Sequence, residues 1–170
     1  MQVNFLFFII FVAVGLILMI LSLLFKSKDN KMIKQCNQKV KGKVIKYTLW
    51  NNSDVHFPIV EYIVNNNKYL QRLKYAWVIT KESSFKKVDA EVENNVNSAN
   101  LVISKNRHIT TNALKEQFQI GTELDVYYNP QNPKKSYVMR FVKSPTVKVF
   151  FFTGMLFIIL SFVGLAFLPN

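Results

Sequence analysis

The sequence predicts an α+β membrane protein in which two transmembrane helices flank a small antiparallel β-barrel or β-sandwich-like domain. Three observations lead to this fold class: an apolar run near each end of the 170-residue chain, strand-like alternation between the runs, and lysines concentrated beside them. We expect the first helix in residues 1–26, the β-rich soluble domain in 27–147 and the second helix in 148–170.

The first apolar run, residues 5–25, is interrupted only by Gly15 and Ser22. A hydrocarbon core about 30 Å thick needs about 20 helical residues, and inside lipid the backbone must satisfy its own hydrogen bonds. Its Leu, Ile, Phe and Val side chains favour insertion by roughly 4–10 kcal/mol. A cleaved signal peptide is the alternative, but the start is uncharged and the run exceeds the roughly 7–15 residues typical of such peptides.

The second apolar run, residues 149–168, contains no Asp, Glu, Lys or Arg, and neither does the first. Ionisable groups at membrane depth mark ion and proton paths, so their absence argues against a transporter. Gly15 and Ser22 are seven residues apart, as are Gly154 and Ser161, and small residues at this spacing allow helices to approach closely. These four residues are predicted to pack helices, either within one chain or in a homo-oligomer.

The excess positive charge lies beside the apolar runs. Residues 26–46 hold eight lysines and one aspartate, and residues 134–148 hold five basic residues and no acid. Residues 47–133 carry nine basic and nine acidic side chains and are neutral. Because basic flanks are retained on the inner side, we predict a multi-pass plasma-membrane protein with a cytoplasmic central domain and both termini outside.

The same lysines predict contact with anionic lipid headgroups, worth about 1 kcal/mol per residue near the surface. The expected contact residues are Lys26, Lys28, Lys31, Lys34, Lys134, Lys135, Lys143 and Lys148. A role in topology alone is the alternative. Nucleic acid is not an expected partner, because it requires a basic face on the domain body. The predicted partners are therefore the bilayer, its anionic lipids and a protein of unknown identity.

The first half of the central domain predicts three strands. Residues 40–50 alternate with a slip at Val44–Ile45 that predicts a bulge, and Asn51 to Asp54 predict a turn. Residues 57–64 predict a strand with Pro58 at its start or on an edge, followed by an asparagine hairpin loop. The return strand is expected over residues 68–79. The side chains expected on its apolar face, interrupted by Gln71, are those of Tyr69, Leu73, Tyr75, Trp77 and Ile79.

The second half is less regular. Residues 81–100 fit either a short amphipathic helix or an extended loop; the helical spacing is that of Phe85, Val88, Val92 and Val96. We expect a short strand at 101–103 and a helical turn or two at 112–118. A strand over 120–128 ends at two prolines, and a last strand, 136–142, leads to the second helix. Five or six such strands predict a small barrel or sandwich.

Two stretches carry a family resemblance. They are Phe57-Pro58-Ile59-Val60-Glu61-Tyr62 and the segment from Gly121 through Val126-Tyr127-Tyr128-Asn129-Pro130-Gln131-Asn132-Pro133. Both resemble the bacterial membrane-protein family known as domain of unknown function 3592. The residues that match its motifs are Pro58, Tyr62, Gly121, Tyr128, Asn129, Pro130 and Pro133. The resemblance implies a β-rich domain between membrane helices and supplies no catalytic residues.

The sequence contains no recognisable chemical site. His56 and His108 are far apart and no metal-ligand cluster surrounds them, so no metal, cofactor or catalytic residue is predicted. Glu61 is the only acid whose aromatic neighbours suggest a raised pKa. The simpler expectation is a carboxylate that is hydrogen-bonded or exposed at a strand edge. Cys36 is the single cysteine and is expected to be a solvated or half-buried thiol, with acylation as the alternative.

The predicted function is therefore that of a non-catalytic integral membrane protein that presents a β-rich binding or scaffold domain at the membrane surface. Two alternatives stay open. One is an immunity protein that neutralises a membrane-acting toxin. This alternative rests on the small size of the chain and on two apolar helices without charged residues. The other is a lipid- or envelope-modifying enzyme, which needs a polar cleft with converging acid and base groups.

Overall fold

The computed structural model describes residues 2–49, 55–84, 90–106 and 112–167 of the chain. The chain divides into two compact units: one holds the residues up to Lys31 and from Lys143 onwards, and the other extends from Met32 to Val142. The elements in chain order are α1 (Gln2–Gln35), β1 (Gln38–Tyr47), β2 (Pro58–Val64), β3 (Asn67–Arg72), β4 (Trp77–Ser83), β5 (Ala90–Val92), β6 (Asn100–Asn106), α2 (Ala113–Gln117), β7 (Glu123–Asn129), β8 (Asn132–Val138) and α3 (Thr146–Phe167).

This order confirms the α+β class, with one long apolar helix before the β-domain in sequence and one after it. Helix α1 contains the first apolar run and α3 contains residues 149–167 of the second, and both are long and apolar enough, by length and composition, to cross a membrane. Helix α1 does not stop at Phe25 but continues to Gln35. Its extension contains four lysines, which are good helix formers, and neither glycine nor proline.

The main sheet has five antiparallel strands in the order β3-β2-β1-β7-β8. Its two edge strands, β3 and β8, lie close together. The side-chain amide of Gln71 in β3 donates to the carbonyl oxygen of Ser136 in β8. The same amide lies 3.1 Å from the Ser136 hydroxyl. The sheet is therefore a nearly closed barrel, and Val44, Val60 and Val126 are among its fully buried residues.

Local sequence features determine how the first strands pair. The β1–β2 register shifts between Val44 and Lys46, which confirms the predicted bulge. Asn65 and Asn66 have φ angles of 49° and 62°, which two-residue hairpin loops require, so the asparagine loop is also confirmed. A Cβ at Gly42 would lie 2.6 Å from Val60 Cγ1 and 2.8 Å from the Glu61 carbonyl oxygen, so the pairing of β1 with β2 requires glycine there.

The prediction of one return strand over residues 68–79 is wrong. Strand β3 ends at Arg72, and β4 begins at Trp77 in a second sheet of order β4-β6-β5, where β4 is parallel to β6. Leu73 is fully buried, whereas Trp77 and Ile79 are about half exposed instead of sharing its face. The apolar alternation continues through the break, so the local pattern does not mark the change of sheet.

The middle of the domain also differs from one of its predictions. Ala90–Val92 forms strand β5 antiparallel to β6, so the predicted helix does not form over these residues. Phe85 and Val88 lie outside the described residues, as do residues 51–54 of the predicted turn. Strand β6 confirms the prediction at 101–103 and is longer than expected.

The last part of the domain follows its prediction with shifted bounds. Helix α2 confirms the helical turn at 112–118, and the Asn112 side chain accepts a hydrogen bond from the backbone N–H of Leu114 at 3.3 Å. Strand β7 matches the strand predicted over residues 120–128, but β8 spans Asn132–Val138 and not 136–142. The proline-rich segment therefore does more than end β7. It forms the tight loop that connects β7 to β8 in an antiparallel hairpin.

Candidate functional site

Helices α1 and α3 contact each other through small residues inside the first unit. A Cβ added at Gly15 would lie 2.8 Å from the carbonyl oxygen of Gly154, and one at Gly154 would lie 2.7 Å from that of Gly15. The Ser22 hydroxyl donates to the Val147 carbonyl oxygen at 2.8 Å. Ser161 is buried but donates within its own helix. Three of the four predicted packing residues therefore meet across two antiparallel helices of one chain.

A groove of about 480 Å³ lies at the lysine-bearing end of this helix pair. One part of its lining is polar and consists of Ser22, Lys26, Asp29, Asn30, Lys143, Ser144 and Lys148. The other part is apolar and consists of Leu23, Val147, Phe151 and Phe152. The groove is therefore amphipathic, with an apolar wall that belongs to the same helices as the apolar runs.

The electrostatics of the groove favour an anion. Its only acid, Asp29, accepts a hydrogen bond from the backbone N–H of Ser144 at 2.8 Å, so one carboxylate oxygen is already engaged. The lining contains three exposed lysines and this one acid, so its net charge is +2. Helix α3 begins beside the groove without an acidic residue in its first turn, so the positive end of its dipole is not neutralised there.

The eight lysines predicted to contact lipid are all exposed, five of them on the first unit and three on the second. Lys26, Lys143 and Lys148 line the groove. The other five, exposed elsewhere on the two units, are Lys28, Lys31, Lys34, Lys134 and Lys135.

Lysines on strand β1, by contrast, pair with acids on β7. The ammonium groups of Lys39 and Lys41 each lie 2.8 Å from a carboxylate oxygen of Asp125, and Lys43 lies 3.7 Å from Glu123. Hydrogen bonds from Lys39 and Lys41 lower the pKa of Asp125. Part of the basic segment at 26–46 is thus matched by opposite charge inside the barrel sheet.

The two motif stretches meet at Tyr62 in the barrel. Its side chain is buried, and its hydroxyl donates to the Pro133 carbonyl oxygen at 2.5 Å and lies 2.8 Å from the Ser136 hydroxyl. The Tyr62 ring stacks on Tyr69 at 5.6 Å and lies 6.4 Å from Tyr128. Burial raises the pKa of Tyr62. Strand β2 is therefore tied to the β7–β8 hairpin through the residues that carry the resemblance.

The remaining motif residues shape turns or begin strands. The Asn129 side chain accepts a hydrogen bond from the Gln131 backbone N–H at 2.9 Å, which closes the loop that contains Pro130. Gly121 has a φ angle of 91°, and its backbone N–H donates to the Val44 carbonyl oxygen at 2.8 Å. Pro58 is buried at the start of β2, where its missing N–H is tolerated. The motif thus specifies the architecture of the domain.

A family model described as Domain of unknown function (DUF3592) matches residues 40–143, more than half of the chain. The chain belongs to this family. A comparison with curated proteins found no match, and a comparison with solved structures found none. The DUF3592 match contains strands β2 to β8 and most of β1, and it leaves out both apolar helices.

The DUF3592 domain holds its histidine and acid side chains in local pairs. The Nδ1 of His56 donates to the Thr48 carbonyl oxygen at 2.7 Å, and Glu61 pairs with Lys68 at 3.3 Å. His108 lies outside the described residues. Within the described ranges, no three His, Cys, Asp or Glu side chains are close enough together to hold a metal ion.

The expectation of a solvated or half-buried Cys36 is wrong. The residue is only 2% exposed, and its thiol lies 3.4 Å from the Lys135 carbonyl oxygen, to which it donates. Burial raises the pKa of this thiol, against a smaller opposing effect of Lys135. Helix α1 ends just before Cys36, and the chain enters the β-domain there, which explains the burial of a residue that is adjacent in sequence to the lysine cluster.

Two structural residues of the DUF3592 domain were missed. Gln71 joins β3 to β8, and the only sequence signal was its position as a polar interruption of an apolar strand face. Arg140 places its guanidinium 4.5 Å from the centre of the Tyr75 ring. No local pattern predicts this contact, because the two residues belong to segments 65 positions apart in sequence.

Proposed function

We propose that this DUF3592 protein is a non-catalytic integral membrane protein that presents its β-domain as a binding or scaffold module at the plasma-membrane surface. Membrane insertion is supported by the exposure of both long helices: only 11% of the most apolar 18-residue window of each is buried. The core helix of a soluble protein would bury such a surface, since exposed apolar area is unfavourable in water. A bilayer is the environment that accommodates it.

The observation that carries the binding role is the exposed apolar surface of β4, formed by Trp77 and Ile79. Strand β4 is an edge strand of the second sheet, and these two side chains are 55% and 49% exposed. Val78 between them packs against the core and fixes the strand. Exposed apolar side chains on an edge strand favour association with another chain, and tryptophan is common at the energetic centre of interfaces.

The organisation of the motif supports a non-catalytic role. Tyr62, Asn129 and Gly121 use their polar groups in hydrogen bonds within the domain. Residues that serve packing and turns supply no free group for catalysis, which supports the proposed non-catalytic role.

Membrane insertion is tested by washing cell membranes with alkaline carbonate and then probing the pellet and the supernatant for the full-length protein. We expect all of the protein in the pellet, because two apolar helices hold it in the bilayer. A peripheral membrane protein in the same sample should move to the supernatant. Release of the full-length chain together with that control would contradict the proposal.

The binding role is tested by in-cell photo-crosslinking from position 77. A photoreactive amino acid replaces Trp77, and the matched control carries it at Leu70, which is 53% exposed on β3 of the other sheet. We expect one discrete protein adduct from position 77 and none from position 70. The Ile79→Ser substitution should reduce that adduct with only a small fall in the unfolding temperature, since about half of the Ile79 side chain is already exposed. Indistinguishable patterns from the two positions would count against the β4 surface.

A further inference from the structure

The groove between α1 and α3 combines two features that a phospholipid requires. Lys26, Lys143 and Lys148 provide positive charge at its polar part, and Phe151 and Phe152 belong to its apolar part. A phospholipid likewise joins a charged phosphate to an apolar chain. Basic pockets between membrane helices are a common way to hold anionic headgroups.

Charge complementarity decides which kind of phospholipid fits. The lining has three lysines and one acid, and that acid is engaged with the Ser144 backbone. A zwitterionic headgroup would bring its own cation into this positively charged site, where the lysines would repel it. A headgroup with net negative charge carries no such cation and is attracted by the lysines. The start of α3, without an acid in its first turn, adds to the preference.

We infer that this groove binds one anionic phospholipid, with its phosphate between Lys26, Lys143 and Lys148 and an acyl chain along Phe151 and Phe152. The inference rests on the proposed membrane insertion and makes it more specific: diffuse attraction treats all exposed lysines alike, whereas a groove distinguishes three of them. Lys28, Lys31 and Lys34 are also exposed and carry the same charge, but they do not line the groove.

The test is native mass spectrometry of the detergent-solubilised full-length protein, titrated with phosphatidylglycerol or with chain-matched phosphatidylcholine. The wild type should retain one phosphatidylglycerol in preference to phosphatidylcholine. The triple substitution Lys26→Gln, Lys143→Gln and Lys148→Gln should weaken that binding on the order of 100-fold, at about fivefold per lysine. The matched triple Lys28→Gln, Lys31→Gln and Lys34→Gln should leave it within about twofold.

Three outcomes overturn the inference: equal retention of the two lipids, equal loss in both triple variants, or competition by inorganic phosphate at the lipid's own concentration. The last would identify an ion site that does not select lipid. Both triples change exposed side chains, so their unfolding temperatures without lipid should match the wild type. The two claims can fail separately. If the protein stays in the carbonate pellet but shows no preference for phosphatidylglycerol, the lipid-binding inference is wrong and the proposed membrane insertion is unaffected.

Discussion

At the scale of single residues, Tyr62 connects parts of the domain that are distant in sequence. Its hydroxyl bonds to Pro133, 71 positions along the chain, and its ring stacks on Tyr69 of β3 and lies near Tyr128 of β7. A buried hydroxyl without partners would be unfavourable, so Tyr62 specifies the register of the hairpin as well as filling the core. The same contact joins the two stretches of this chain that carry the family resemblance.

Replacing Tyr62 with phenylalanine should destabilise the domain by about 1–3 kcal/mol, because the Pro133 carbonyl and the Ser136 hydroxyl lose a buried partner. The measurement is denaturant unfolding of the full-length protein in detergent, followed by tryptophan fluorescence. Tyr127→Phe is the matched control, since its hydroxyl has no hydrogen-bond partner among the described residues, and it should change stability by less than about 0.5 kcal/mol. Equal effects of the two substitutions would show that the hydrogen bonds of the Tyr62 hydroxyl do not stabilise the domain.

Several buried phenols make the domain sensitive to alkali. Burial raises the pKa of Tyr62 and of Tyr75 above the ordinary value. A group with a raised pKa in the folded state contributes stability below its unfolded pKa, about 10 for tyrosine, and that stability is lost as pH rises towards the folded value.

We therefore expect the unfolding temperature of the full-length protein to fall above about pH 10. The fall should be shallower in Tyr62→Phe, because one of the responsible groups is absent. Calorimetry across the alkaline range, combined with the ultraviolet absorbance of ionised phenol, measures both quantities. Ionisation of every tyrosine before any loss of folded protein would show that burial does not shift these groups.

At the scale of elements, the contact between α1 and α3 depends on the absence of side chains at two positions. The added Cβ atoms at Gly15 and Gly154 would each fall below 3 Å from the opposite backbone, and backbone cannot move aside as a flexible side chain can. Phe11 and Phe157, with ring centres 5.5 Å apart, pack beside this contact. Small residues therefore allow larger neighbours on both sides to interlock.

The substitution Gly15→Leu should separate the helices at a cost of about 1–3 kcal/mol. That cost corresponds to roughly a five- to 150-fold change in the pairing equilibrium. A cysteine pair, Phe11→Cys with Phe157→Cys, reports it through the yield of oxidative crosslinking, detected as a linked peptide pair by mass spectrometry. Ala13→Leu adds a similar volume at an exposed position of the same helix and should leave the yield unchanged. A high yield in Gly15→Leu would mean that the glycine contact is dispensable.

The elements that sequence predicts well are those that local chemistry determines. The asparagine hairpin, the bulge at Val44 and the apolar helices each follow from a few neighbouring residues. The change of sheet after Arg72 does not, because it depends on the parallel pairing of β4 with β6, whose residues come more than 20 positions later. For this reason the alternation places Trp77 on one face with Leu73, although Trp77 is exposed and Leu73 is buried.

The candidate site has the same limit at the scale of the whole molecule. Its lysines are visible as a charge pattern, but the groove requires antiparallel pairing of α1 and α3 and the bond between Asp29 and Ser144, 115 positions apart. Likewise, the sequence count includes Lys39, Lys41 and Lys43 in the basic flank, although each of them faces an acid of β7. The lysines that line the groove lie on the helical extension of α1 and near the start of α3.

This distribution still predicts a cytoplasmic β-domain with both termini outside, since lysines close to helix ends are retained on the inner side. Cys36 cannot report the orientation, because it is buried and its thiol pKa is raised. Leu49 can, because it is 90% exposed. A membrane-impermeant thiol reagent should therefore leave Leu49→Cys unlabelled in intact cells and label it after permeabilisation.

Denaturation should then add a second label at Cys36, so that the native cysteine serves as an internal control for unfolding. The variant Asn170→Cys should give the opposite result, with labelling in intact cells, because the charge bias assigns the C-terminus to the outer side. Each variant is thus the control for reagent access in the other. Labelling of Leu49→Cys before permeabilisation, with protection of Asn170→Cys, would reverse the orientation and transfer the β4 surface and its partner to the outer side of the membrane.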